Sequence, residues 1–183
     1  MIDIELFKKH LTTYEMNGWL EDWDLNNIAK YISQLEPGQL YLEVGVARGV
    51  SSTLANVVAK DGVRLKGIDI INWADRDFKM QEILKVYGKD LKNWEFIEED
   101  SQLAAKYWKH GKIDLLFIDG DHTYEGLLKD FISWYPWVKE GGVIMFDDYN
   151  NVTGVKKAIN DVIKDHHFYR QFEVDGEMFI LKK

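Results

Sequence analysis

Three aspartates and one histidine stand in two short stretches of the chain: Asp119 and His122 in FIDGDHTYEG (117–126), and Asp147 and Asp148 in VIMFDDYN (143–150). Each stretch runs from apolar residues into acids, so the acids project from the ends of two adjacent strands. Carboxylates gathered in this way repel one another and need a counter-charge. A hard divalent cation such as Mg2+ supplies it and takes oxygen ligands. His122, three residues after Asp119, is placed to act as a base beside such a metal. Plainer readings stay open: Asp121 as a helix cap, Asp147 and Asp148 as exposed loop acids, His122 as a structural or solvated ring.

Three further motifs precede these. In YLEVGVARGVSS (41–52) a strand leads to Gly45, three residues, Gly49, and a helix beginning near Ser51. Gly45 permits a tight turn off the strand, and Gly49 permits a ligand to approach the backbone beside a helix N-terminus. The spacing is G-x-x-x-G, not the G-x-G-x-x-G of a dinucleotide site. An ordinary strand-to-helix turn has the same form. In GIDI (67–70), Asp69 ends a strand, where an acid can accept hydrogen bonds from both hydroxyls of a ribose or act as a cap. In EEDSQ (98–102), Asp100 and Ser101 open a helix. They serve either as N-caps or as polar contacts to an adenine edge.

The elements that must position these residues follow from periodicity. Strand-like runs cover Leu40–Val44, Arg64–Asp69, Trp94–Glu98, Ile113–Asp119 and Val143–Asp147. Helical segments lie between them, near 51–60, 76–88, 101–109 and 124–138, with another near 153–165. This alternation implies right-handed crossovers and a mainly parallel sheet. LLFID is apolar up to its acid, as in a strand buried on both faces. Two amphipathic helices come first, near 3–16 and 24–35. In the second, Leu25, Ile28, Ala29 and Ile32 recur at helical spacing, with Asp24 as its cap. Asp175-Gly176 between Phe168–Val174 and Glu177–Leu181 predicts a terminal hairpin.

The chain has 183 residues, the size of one domain, and 46% of them are hydrophobic, enough for a core. Its formal charge of -8 disfavours nucleic acid and anionic membranes as partners. No apolar run approaches the roughly 20 residues of a membrane span. The N-terminal segment lacks the apolar stretch of a signal peptide. With no cysteine, disulfides and thiolate chemistry are excluded. The expectation is a cytoplasmic protein acting on a small molecule. Of the many aromatics, Trp19, Trp23 and Trp73 are candidates for a surface joining two copies of the chain, or for a pocket lid.

The sequence resembles the class I S-adenosylmethionine-dependent methyltransferases. Within them it is most similar to the branch of catechol O-methyltransferase and of macrolide-sugar enzymes such as macrocin O-methyltransferase. The resemblance rests on LEVGVARGVSS, GIDI, EDSQ, the stretch DLLFIDGDHTYEGLLKDFISWYPWVKEGGVIMFDDY and the terminal hairpin, and covers residues 38–183. It implies a Rossmann-like α/β fold: a seven-stranded, mainly parallel sheet, a C-terminal antiparallel hairpin, and helices on both faces. Residues 1–183 then form one domain, in which 1–37 cover the pocket and 38–183 hold the cofactor.

The resemblance also implies roles. Glu43, Gly45, Gly49 and Ser51 would hold the methionine part of S-adenosylmethionine, Asp69 the ribose, and Asp100 and Ser101 the adenine side. Asp119 would sit beside the cofactor, and Asp119, Asp147 and Asp148 would bind Mg2+. His122 would be the catalytic base. The lysine base of the catechol enzymes has no counterpart, because Gly120-Asp121-His122 stands in its neighbourhood. The expected activity is Mg-assisted O-methyl transfer to a small hydroxylated molecule. The competing expectations are a nicotinamide-dependent oxidoreductase on a similar sheet, a non-catalytic cofactor-binding module, and a methyltransferase that needs no metal.

Overall fold

The computed structural model describes residues 2–164 and 171–183. Among these residues seven strands form one sheet: β1 Leu40–Val44, β2 Arg64–Asp69, β3 Trp94–Glu98, β4 Ile113–Ile118, β5 Val138–Phe146, β6 Gln171–Asp175 and β7 Met178–Lys182. They lie in the order β3-β2-β1-β4-β5-β7-β6. The first five pair in parallel, and β7 runs antiparallel to both β5 and β6. This is the expected mainly parallel sheet with a C-terminal hairpin.

Among the described residues, seven helices cover it: α1 Ile4–Thr13, α2 Asp22–Ser33, α3 Val50–Val58, α4 Arg76–Val86, α5 Ser101–Lys106, α6 Tyr124–Trp134 and α7 Thr153–Lys164. Strand alternation decides what each face meets. Tyr41, Leu115 and Phe117 pack with residues of α1 to α4, among them Phe7, Ile28, Leu54 and Ile83. Leu42, Val44, Leu116 and Ile118 pack with residues of α5 to α7, among them Ala105, Phe131 and Ile159. Both faces are therefore dry, which is why β1 and β4 read as continuous apolar runs. The N-terminal helices share the core of α3, so they do more than cover a pocket. None of the described helices is long and apolar enough to cross a membrane.

Several boundaries differ from the sequence expectation. Asp24 does not begin α2. The helix starts at Asp22 with Glu21 as N-cap, and Asp24, in the first turn, accepts a hydrogen bond from the Glu21 amide at 3.0 Å. The helix expected over 124–138 stops at Trp134 and gives way to a 3-10 turn, Tyr135–Trp137. Pro136 has no N–H to continue the α ladder. β5 begins at Val138, earlier than Val143, and its pairing with β4 shifts register between Ile113 and Leu115. The Gly141-Gly142 pair hides that early half of the strand from any periodicity. Helix α5 is shorter than 101–109. The hairpin loop is Gly176-Glu177, one residue later than expected, because Asp175 pairs with Met178. Gly176 has φ +62°, and a Cβ there would lie 2.6 Å from Trp23 Cγ. Phe168, Tyr169 and Arg170 of the expected strand, and Asp165 of the expected helix, lie outside the described residues.

Candidate active site

Strands β1 and β4 are neighbours whose connections leave in opposite directions, and ligands bind at such switch points beyond the strand C-termini. A cavity of about 950 Å³ opens there. Its walls come from the segment after β1, the ends of β2, β4 and β5, the start of α5, the α1–α2 connection, and Glu177.

The glycine segment is held by close backbone packing. Gly45 has φ +90°, and its amide donates to the Ile68 carbonyl at 2.9 Å. A Cβ at Gly45 would overlap the Asp119 carbonyl and lie 2.7 Å from Gly120 Cα. Ala47 takes a left-handed conformation at φ +44°, a strain that non-glycine residues carry at functional sites. The Asp69 carboxylate clamps this turn. Its Oδ2 accepts from the Val46 and Ala47 amides at 3.0 and 2.8 Å, and its Oδ1 accepts from the Ile71 amide at 2.9 Å. A carboxylate has about four acceptor positions, so one remains for a ribose hydroxyl. Asp69 is thus a backbone clamp that keeps acceptor capacity at the cavity wall.

Two expected cofactor residues do not face the cavity. Glu43 is completely buried and accepts hydrogen bonds from Ser51, Ser52 and Tyr41. Burial pushes its pKa up to about 8, and the three hydroxyl donors pull the other way. It anchors the start of α3 from beneath. Gly49 is the left-handed N-cap of α3 at φ +85°, and a Cβ there would meet Met80 and Arg76. The left-handed φ and the close approach of α4 both favour glycine here. Gly45 and Ser51 do line the cavity, as do Asp100 and Ser101. Asp100 also caps α5 through the Leu103 amide, and the Ser101 hydroxyl accepts from Trp134 Nε1 at 2.8 Å.

At the other end, His122 sits between two acids. Its Nε2 is 3.2 Å from Asp119 Oδ1 and its Nδ1 is 3.0 Å from Asp148 Oδ2. The hydrogen bond to Asp119 outweighs desolvation and raises the His122 pKa to about 9. In this arrangement both acids favour the protonated ring. Burial raises Asp119, with His122 opposing. Asp148 is held left-handed at φ +59°. Asp147 has a buried Oδ1 without a partner, and burial, then the charges of Asp119, Asp24 and Asp148, push it up to about 9.

Among the described residues, Asp119, His122 and Asp148 bring one ligand atom each within 4.8 Å of one another. This differs from the expected trio: His122 stands in the group and Asp147 does not. Two carboxylates and a ring nitrogen are a donor set that fits a divalent cation.

The profile of a family described as a methyltransferase domain matches residues 42–149, from β1 to just beyond β5. The chain belongs to that methyltransferase family. This methyltransferase domain is 30% identical over 147 residues to an uncharacterized protein of Acanthamoeba polyphaga mimivirus. The match takes in 74% of this chain and 66% of the viral protein, so the chain spans about two thirds of that relative's length. Among solved structures it is similar to an O-methyltransferase from Bacillus cereus in complex with SAH. That pair has a TM-score of 0.70 and 13% identity, over 100% of this chain and 93% of that one. It is also similar to the O-methyltransferase NovP, with a TM-score of 0.66 and 20% identity over 87% and 78% of the two chains. The fold is that of the class I methyltransferases.

The methyltransferase domain also brings to its cavity acids for which the sequence suggested no site role. Asp130 is 2% exposed, accepts from Gln102 Nε2 at 2.7 Å, and is raised by burial. Its signal was available: it interrupts the apolar face formed by Leu127, Phe131 and Trp134. Asp24 and Glu177 line the cavity too, and nothing in their local sequence sets them apart from surface acids. Trp19 lines the cavity while 84% exposed. Trp23 instead packs over Gly176, and Arg48 lies 5.0 Å over the Trp73 ring.

Proposed function

We propose that this methyltransferase domain transfers a methyl group from S-adenosylmethionine to a hydroxyl of a small molecule, with a divalent cation at Asp119 and Asp148. The observation that carries the reading is the convergence of Asp119, His122 and Asp148 on one cavity with the clamped glycine turn. Gly45, Ser51, Asp69, Asp100, Ser101 and Asp119 would hold the cofactor. S-adenosylmethionine supplies a methyl group already activated on a sulfonium. The residues have chiefly to align the acceptor oxygen with it and exclude water.

Mg2+ at this site would lower the pKa of an acceptor hydroxyl. Asp119 and Asp148 would hold it, with Asp147 supporting from the wall. A cation drawn to Asp119 and Asp148 would free His122 from those acids, and the neutral ring would then serve as the base for the hydroxyl proton rather than as a third ligand. The nicotinamide alternative is disfavoured by the G-x-x-x-G spacing and by the terminal hairpin.

Methyl transfer is to be measured over a panel of hydroxylated small molecules, with Mg2+ and with chelator. His122→Ala is expected to lose most turnover and keep SAH affinity. Wild-type turnover in that variant removes His122 as the base, and chelator-insensitive turnover removes the metal.

A further inference from the structure

We propose that the acceptor is an organic cation, a protonated amine with hydroxyl donors beside it, seated against Asp24, Asp147 and Glu177. This names the substrate class of the site above and rests on the methyltransferase reading. The three acids come from separate elements: the first turn of α2, the end of β5 and the β6–β7 loop. All three line the cavity. Each has a buried carboxylate oxygen without a hydrogen-bond partner: Asp24 Oδ1, Asp147 Oδ1 and Glu177 Oε2. Asp24 is only 2% exposed. Buried acceptors are costly to leave unpaired, and a bound cation would favour the charged form of acids that burial otherwise pushes towards the protonated one.

The wall is built to keep these acids in place. The other Asp24 oxygen is fixed by the Glu21 amide. The Glu177 carbonyl accepts from the Tyr149 amide at 2.7 Å, and Asn150 Nδ2 donates to the Gly176 carbonyl at 2.8 Å. Trp23 packs over Gly176 and ties α2 to the same loop. Among the described residues, the cations on the cavity wall are engaged elsewhere, and of them His122 reaches only the Asp147 member of the trio, through charge. Arg48 lies over Trp73, Lys129 bears on Asp121, and His122 is engaged by Asp119 and Asp148.

The spacing favours an extended ligand over a second metal ion. Among the described residues, the group with ligand atoms close enough to share one ion is Asp119, His122 and Asp148, and it includes none of these three. Donors spread over several atoms, one of them charged, reach such a wall better than a point charge. Trp19 flanks it with an exposed ring, suited to stacking on the apolar face of a polyol or on the cation itself.

The test uses the full chain with Mg2+. SAH is titrated first. Glucosamine, galactosamine, mannosamine and ethanolamine are then titrated into the SAH-loaded protein, each against its N-acetyl form, which keeps the skeleton and removes the charge. At least one amine is expected to bind about tenfold or more tighter than its N-acetyl partner. The preference is expected to fall below about threefold in Asp24→Asn and in Glu177→Gln, with SAH affinity unchanged. The proposal is overturned if no amine is preferred, or if both variants keep the preference. Failure to bind SAH at all refutes the methyltransferase reading instead.

Discussion

Glu43→Gln removes an ionisable group from the fully buried floor of the glycine turn and keeps its shape. The carboxyl has an ordinary pKa of 4.5, and burial raises it to about 8 in the folded chain. The native state therefore holds a proton that the unfolded state releases. The stability from that proton is fully present below pH 4.5 and is lost progressively as pH rises to about 8. At about 1.36 kcal/mol per unit, the whole change is on the order of 5 kcal/mol, of which about 3 kcal/mol is already lost at pH 7. Glutamine has no such titration. Its amide still accepts from one of the Ser51, Ser52 and Tyr41 hydroxyls, so a pH-independent cost of about 1 kcal/mol remains. Urea unfolding of both proteins at pH values from 4.5 to 9 reads the difference. The variant is expected to start slightly less stable than the wild type and to overtake it as pH rises. A stability difference that stays constant across this range refutes the assignment of a protonated buried Glu43.

Gly45→Ala places a side chain at φ +90° against the Asp119 and Gly120 backbone. It should lower stability by about 2–4 kcal/mol and weaken SAH binding, both readable by thermal melts with and without SAH. Mg2+ or Mn2+ should raise the melting temperature of the wild type, because an ion bound only to the native state stabilises it by mass action. Asp148→Asn should abolish most of that shift, and an undiminished shift would place the ion elsewhere.

Much of the fold was legible because its central strands are covered on both faces. β1, β2 and β3 fall within the expected boundaries: β1 as a buried run before Gly45, and β2 and the edge strand β3 as short mixed runs that end in Asp69 and Glu98. The start of β5 was not legible: Gly141-Gly142 gives no periodicity, and the strand is defined by its pairing with β4. In the site, the gathering of Asp119 and Asp148 followed from topology, because both stand at the ends of adjacent parallel strands. The work done by Glu43, Gly49 and Asp69 depends on partners from other turns of the chain. Ser51 and Ser52 reach Glu43 from a helix, Met80 and Arg76 crowd Gly49 from another, and three amides converge on Asp69. The place of His122 between two acids follows from side-chain rotamers that spacing does not encode. Asp24 and Glu177 reach the cavity where α2 packs against the terminal hairpin, through Trp23 on Gly176 and through Asn27, Lys30 and Tyr31 bonded to Asp175 and Glu173.

The central claim is that the cavity above the glycine turn belongs to S-adenosylmethionine. Isothermal titration of the full chain with SAH and, separately, with NAD tests it directly. Saturable one-to-one binding of SAH that is lost in Gly45→Ala, with no heat from NAD, is the predicted result. Binding of NAD without binding of SAH would contradict it.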